Sequence, residues 1–242
     1  MPRFYVRTPP PSKGSWILPE EVAHHVSVLR LQVSEALILF CGDGYEYPAI
    51  LKKITHPTIS VDMGNPYLCS RESSLWIGLA QGLTNAENME FILQKGVEMG
   101  VSAFQPLLTR RSMIKLSQER MLAKLVRWQS IIVASCEQCG RNIIPLIYPI
   151  QSLTAWVKHF NDLSATQLLL QPNSPAIGNI NAPHKVWMMI GPEGGFDEIE
   201  QVVAQKEGWR SVGLGPRVLR TETAALSAVS AMQTLWGDYQ SR

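Results

Sequence analysis

Long apolar runs are missing from this chain. No stretch approaches the roughly 20 residues that a bilayer-spanning helix needs. The opening Met1-Pro2-Arg3-Phe4-Tyr5-Val6-Arg7 meets Pro9, Pro10 and Pro11 at once, so it cannot supply the apolar core of a signal peptide, and a cytoplasmic protein without membrane association is expected. Charge of one sign is scarce as well. Twenty-two Lys and Arg against 20 Asp and Glu leave a net charge of +2, too little for the bulk basic field that would announce a nucleic-acid binder unaided. Cysteine is sparse, with Cys41 and Cys69 isolated. Cys136 and Cys139 have redox-motif spacing, but they close a helical pattern instead of following a strand and opening a helix. Zinc would need further ligands, so ordinary reduced thiols and no metal are expected. The chain also lacks G-x-G-x-x-G and the lysine-bearing phosphate loop, which argues against NAD or ATP held by those devices.

What is present is an ordinary globular composition, 45% apolar and 17% charged over 242 residues, enough to bury a sizeable core. The first stretch patterns as short strands over 3–6, 15–18, 35–40, 45–54 and 58–63, with Cys41-Gly-Asp-Gly44 as a hairpin turn. A short helix over 19–31 places Val22, Val26 and Leu29 on one face. Many short strands and one helix predict a small β-barrel over residues 1–70. The segment 64–74 is polar and broken by Gly and Pro, and is expected to be the linker to a second domain over 71–242.

There the pattern changes to alternation of strand and helix. Strands are expected over 75–80, 104–108, 168–170, 186–190 and 212–214. Thr84 with Glu87 has the form of a capping box for a helix carrying Met89, Ile92, Leu93, Gly96 and Val97 on one stripe and ending at Gly100. Ser117 opens a long helix with Met121, Leu125, Trp128 and Ile132 facing one way. Asp197 with Glu200 caps a helix that stops at Gly208, and Thr221 opens the last one. Such alternation predicts an α/β layer with a largely parallel sheet.

Two glycine-bearing loops each join a strand to a helix: Ile190-Gly-Pro-Glu-Gly-Gly-Phe196, and the run from Gly213 through Leu214-Gly215-Pro-Arg217-Val218-Leu219-Arg220-Thr-Glu222-Thr223-Ala224. Loops at the carboxyl ends of parallel strands are where α/β proteins bind ligands, and glycine lets backbone groups approach a ligand closely. Basic residues clump beside them: Arg110 and Arg111 with Lys115, Lys124 with Arg127, and Arg217 with Arg220.

Together the two loops resemble the S-adenosylmethionine (SAM) signature of the 16S rRNA uridine-N3 methyltransferases, a family of the SPOUT class. Blocks in the same order extend the resemblance over nearly the whole chain. They include Pro2–Val6, His24–Arg30, Phe40–Tyr47, Gln94–Gly100, Pro106–Ser112, Arg127–Gln129 and Glu137–Asn142. The chain departs from the family at Asn85–Asn88, where a lysine-containing turn is usual, and at Arg110, Cys139 and Ser34-Glu35.

The resemblance implies a SPOUT-type α/β trefoil-knot methyltransferase domain preceded by a small PUA-like β-barrel that binds RNA. It also implies a homodimer acting on 16S rRNA, within the 30S subunit. SAM would lie against Leu170, Ile190, Gly191, Pro192, Glu193, Gly194, Gly195, Leu214, Gly215, Val218, Leu219, Thr223 and Ala224. Uridine N3 becomes nucleophilic once its proton has gone and charge has spread over O2 and O4. A fixed guanidinium facing those oxygens favours that anion, and Arg220, with Arg217 second, is placed for it. Glu222 stands at a helix N-terminus, where the dipole favours a carboxylate and makes it less basic, so proton acceptor and helix-terminus partner both stay open, as does a base that is not a side chain. Glu193 could likewise order its own loop. Because the N3 edge is used in pairing, the target must be unpaired or extruded. Arg3, Arg30, Arg111, Arg141 and Arg217 are the candidates to hold the surrounding RNA. The rival functions are a SPOUT enzyme for another RNA position, a non-catalytic RNA-binding assembly protein, and a thiol oxidoreductase built on Cys136 and Cys139.

Overall fold

A computed structural model describes residues 1–55, 58–112 and 117–239. Lys115 therefore lies outside the described residues. The chain divides into two compact units, Met1–Glu72 with Val133–Ile144, and Ser73–Ile132 with Pro145–Arg242.

The first unit is built on one six-stranded sheet. Strands β1 (Arg3–Tyr5), β3 (Ala36–Phe40), β4 (Tyr45–Thr55), β5 (Thr58–Met63) and β2 (Gly14–Ile17) lie side by side in that order. Only β1 with β3 is parallel. Alternation in β4 sends Tyr47, Ala49 and Leu51 inward and Ile50 and Lys52 outward, the two-residue period of a half-buried strand. The inward residues meet Phe4, Leu37, Leu39, Ile59 and Val61, and helix α1 (Glu20–Val28) closes the core with Val22 and Val26. The helix stops three residues short of expectation, with Arg30 in the left-handed region at φ 54°.

The division between the units, at Glu72 and Ser73, falls within the segment 64–74 expected to hold the boundary. Tyr67–Leu68 form a short strand, β6, paired with β4, and Tyr67 donates its hydroxyl proton to Glu46 at 2.5 Å. Segment 133–144, far away in sequence, joins this unit through polar bonds. The Tyr5 amide donates to Glu137 at 2.9 Å, Asn142 to the Cys69 carbonyl at 2.7 Å, and Arg71 to the Gly140 carbonyl at 2.8 Å. Two of the expected RNA-binding arginines are held within this framework. Arg3 is held by Glu46 and Asn142 with its side chain 11% exposed, and Arg141 is bound by Glu72 with its side chain 4% exposed. Both guanidinium groups are thus engaged by partners within this unit. Arg30 remains exposed.

The second unit is a parallel sheet of seven strands. Along it run β10 (Gln151–Ser152), β8 (Val101–Leu108), β7 (Trp76–Gly82), β12 (Lys185–Ile190), β11 (Thr166–Leu170) and β13 (Arg210–Val212), with β9 (Leu146–Ile147) beside β8. The central strands β7 and β12 are buried along nearly their whole length, the pattern of a sheet covered on both faces. Its helices are α2 (Ala86–Glu98), α4 (Leu153–His159), α5 (Glu198–Lys206) and α6 (Thr221–Trp236), with the part of α3 (Gln118–Cys139) up to Ile132. One side of the core is aromatic, with Trp156, Trp187 and Trp209 in edge or tilted contact with one another or with Phe160. Strands β9 and β10 and helix α4 were not legible in the sequence, and β13 ends at Val212, two residues before its expected end.

The two expected capping boxes turn out differently. The capping box of α5 forms as expected: the Asp197 side chain accepts from Ile199 at 2.9 Å and Glu200 accepts from the Asp197 amide at 3.0 Å. The box expected at Thr84 does not. Asn85 caps α2 instead, accepting from the Asn88 amide at 2.9 Å, and the Thr84 hydroxyl donates to Glu193. All four cysteines are free. Burial pushes the Cys136 thiol up to about 12, the opposite of the low value that redox chemistry requires.

Candidate active site

In a parallel sheet the loops that follow neighbouring strands emerge on one edge. Here β7, β12, β11 and β13 are successive neighbours, so their carboxyl-end loops converge. They enclose a cleft of about 1060 Å³. Leu170, Ile190, Gly191, Pro192, Glu193, Gly194, Gly195, Leu214, Gly215, Val218, Leu219 and Ala224 all line it, with Arg111, Arg217, Arg220 and Glu222. Thr223 does not. It is exposed on the first turn of α6 and outside the cleft wall. Asn85, Asn88, Gln171 and Phe196 also line the cleft and were missed. Asn85 carried a signal as an asparagine just after a strand and before a helix, where caps belong, and Phe196 as the last residue of the first glycine loop.

The wall suits a nucleoside-bearing ligand. Apolar side chains from β11, β12 and the second loop supply flat surface, and bare backbone supplies donors and acceptors. Gly195 and Gly215 take φ of +66° and +101°, a region closed to most side chains. A Cβ on either would meet nothing within 4 Å, so at these two points the cleft is bounded by main chain alone.

Each side of the cleft is locked by its own polar bonds. Glu193 of the first loop accepts from the Thr84 hydroxyl, and Asn85 lies at 3.4 Å. Burial alone would raise this carboxyl. The bonds from Thr84, from the backbone of Glu193 and Asn85, and from Asn88 outweigh it and hold the group below the usual carboxylate range. A carboxylate so occupied orders its loop and is a poor proton acceptor. Arg111 donates to the Gly194 carbonyl at 3.0 Å, and Glu200, 2% exposed, accepts from the Arg110 amide at 2.8 Å. The turn after β8 is thus fastened to the first loop, and part of the donor capacity of Arg111 is used there. In the second loop, Arg220 is the N-cap of α6 but makes no side-chain cap bond. Arg217 and Arg220 are exposed and form no ion pair among the described residues. They are the cleft's uncommitted positive charge.

The sequence model of the RNA methyltransferase domain family matches residues 71–233, and that of the RNA methyltransferase PUA domain matches 18–63. Ribosomal RNA small subunit methyltransferase E of Buchnera aphidicola subsp. Acyrthosiphon pisum is 31% identical over 99% of this chain and 96% of its own length. Its namesake from Bacillus subtilis is 31% identical over 88% and 87%. Among solved structures, ribosomal RNA small subunit methyltransferase E from Neisseria gonorrhoeae bound to S-adenosyl methionine superposes with a TM-score of 0.93 at 36% identity, covering 99% of this chain and 100% of that one. A methyltransferase from Legionella pneumophila in complex with bound SAM gives 0.92 at 37% identity, covering 98% of each. A match over two thirds of the chain to one domain family, and whole-length likeness to these relatives, establish that this chain belongs to the ribosomal RNA small subunit methyltransferase E family of SPOUT-type RNA methyltransferases.

Proposed function

We propose that this chain uses SAM to methylate N3 of a uridine in small-subunit ribosomal RNA. The observation that carries the reading is the cleft that both glycine loops line together with Arg220. Its size and its apolar and main-chain walls fit SAM, as do the relatives solved with that cofactor. SAM when bound supplies a methyl group already activated by its sulfonium. The chain's own work is then to place the cofactor and manage one proton on the acceptor.

Leu170, Ile190, Leu214, Leu219 and Ala224 keep water from the apolar parts of the cofactor, while backbone groups of the two loops offer hydrogen bonds to adenine and ribose. Arg220 faces the charge that spreads over uracil O2 and O4 when N3 loses its proton. A guanidinium held in place before reaction favours that anion without further reorganisation. Glu222, in the first turn of α6 and lining the same cleft, is the side chain placed to take the N3 proton, since Glu193 is occupied by Thr84 and Asn85. Arg217 and Arg111, at the cleft mouth, and Arg30, on the first unit, are the arginines left to meet phosphates. The partners of this reading are 16S rRNA within the 30S subunit and a second copy of the chain, in the cytoplasm.

The test is methyl transfer from labelled SAM to 30S subunits lacking the modification, with the product nucleoside identified by mass spectrometry. N3-methyluridine, lost on Arg220→Ala, is the expected result. Another methylated nucleoside would move the target while keeping the cofactor, and absence of SAM binding would overturn the reading.

A further inference from the structure

Gln81 lies one residue from the end of β7, near the middle of the sheet, and is 1% exposed. It does not line the cleft, yet its carboxamide reaches both of the loops that do. The Nε2 group donates to the Gly82 carbonyl and to the Thr221 hydroxyl, each at 2.9 Å, with the Gly191 carbonyl at 3.4 Å. Thr221 in turn donates its hydroxyl proton to the Gly191 carbonyl at 2.6 Å. The proton directions are fixed by the acceptors. Turning the amide over would set Oε1 against two carbonyl oxygens, and a hydroxyl whose one proton is given to Gly191 must accept from Gln81. Oε1 itself has no hydrogen-bond partner among the described residues. A buried side chain kept for its donor end, with its acceptor end unmatched, is poorly explained as core filling, where an apolar residue of the same size would do better.

Thr221 is the first residue of α6, Arg220 is the N-cap before it, and Glu222 follows. Gly191 is the first residue of the other glycine loop. We propose that Gln81 is a positioning residue for methyl transfer: through Thr221 it clamps the first turn of α6 to the Gly191 carbonyl, and so fixes where Arg220 and Glu222 stand above the cleft. The inference rests on the functional reading above. Gln81 touches neither cofactor nor RNA in this account, so its effect runs through the relative placement of the two loops. Sub-ångström placement of this kind is what separates a site that binds from one that reacts.

The test is Gln81→Met, which keeps length and apolar volume but gives no proton. It is compared with Thr221→Val, Thr221→Ser and the Gln81→Met/Thr221→Val double variant. SAM affinity is measured by calorimetry, kcat and the KM for 30S subunits by methyl transfer, and folding by thermal melting. Gln81→Met is expected to lower kcat about tenfold or more and to weaken SAM binding, with KM for the subunit unchanged. Thr221→Ser should retain activity that Thr221→Val loses, and the double variant should be little worse than Thr221→Val alone. A role in folding only would shift the melting midpoint while leaving kcat and SAM affinity per folded molecule as in the wild type, and that result, or additive losses in the double variant, overturns the inference. If Gln81→Met does not fold, the serine and valine variants of Thr221 decide: equal loss in both overturns it. A wild-type chain that binds no SAM overturns the functional reading and this inference with it. A wild type that binds and transfers, with Gln81→Met equal to it, overturns this inference alone.

Discussion

Arginines of the two units look alike in the sequence and do opposite work in the fold. In the first unit Arg3, mostly buried, and Arg141, buried, pair with Glu46, Asn142 and Glu72, and they tie the segment 133–144 to the rest of the unit. In the second, Arg217 and Arg220 stand exposed on a glycine loop with no ion pair among the described residues. A buried guanidinium is kept because its partners replace lost water, whereas an exposed and unpaired one is available to a ligand. The same residue type thus carries architecture in one unit and chemistry in the other, and the difference lies in burial and pairing rather than in local sequence.

That contrast can be broken by substitution. Glu46→Ala should do the greatest damage to stability, because it leaves Arg3 buried without its carboxylate. Losing one partner of such a pair costs about 3–5 kcal/mol, and denaturant unfolding would show it. Arg220→Ala should leave stability within about 0.5 kcal/mol but slow methyl transfer by roughly 10²–10³-fold, with SAM binding retained. An Arg220→Ala variant that unfolds easily, or a Glu46→Ala variant as stable as the parent, would erase the distinction.

Acid should separate the units in the same sense. Burial works to raise the Glu46 carboxyl, but bonds from Tyr67, Arg71 and Arg3 outweigh it and bring it from the ordinary 4.5 down to about 2. A carboxyl with a lowered folded value stabilises fully above its unfolded value, so this contribution is whole above 4.5 and is lost as the pH falls through about 2. Melting followed between about pH 6 and about pH 2 should lose less stability in Glu46→Gln than in the parent, since the amide does not titrate. A smaller effect is expected from Thr84→Val, which removes the chief donor holding Glu193. A rise of about fivefold in the SAM dissociation constant corresponds to one lost hydrogen bond of about 1 kcal/mol. Least of all, Arg217→Ala should weaken RNA binding a few-fold and flatten its salt dependence, roughly by one phosphate contact.

Much of the frame was visible in the sequence because it rests on local rules. Alternation placed β4 and β5, a helical stripe placed α2, and the Asp197–Glu200 box placed α5, each through contacts a few residues apart. The glycine loops were visible for the same reason, since a strand, a bend and a cap are adjacent in the chain. The failures have one origin. Thr84 looked like a cap and is taken by Glu193, over a hundred residues away. Arg141 looked like a surface cation and is paired with Glu72. The two-residue strands β6, β9 and β10 have too few residues to show any period, and they exist because a partner strand lies beside them.

Residue order alone therefore determined the element types, the two-part pattern of barrel-like and alternating segments, and the two loops whose resemblance pointed to the cofactor. Only the tertiary structure decided which arginines face a ligand, that Glu193 is held by Thr84 and Asn85, and that Gln81 joins the two loops. Those outcomes depend on hydrogen bonds between residues far apart in the chain, and on burial that makes an unpaired polar group costly. Neither is a property of a residue and its sequence neighbours.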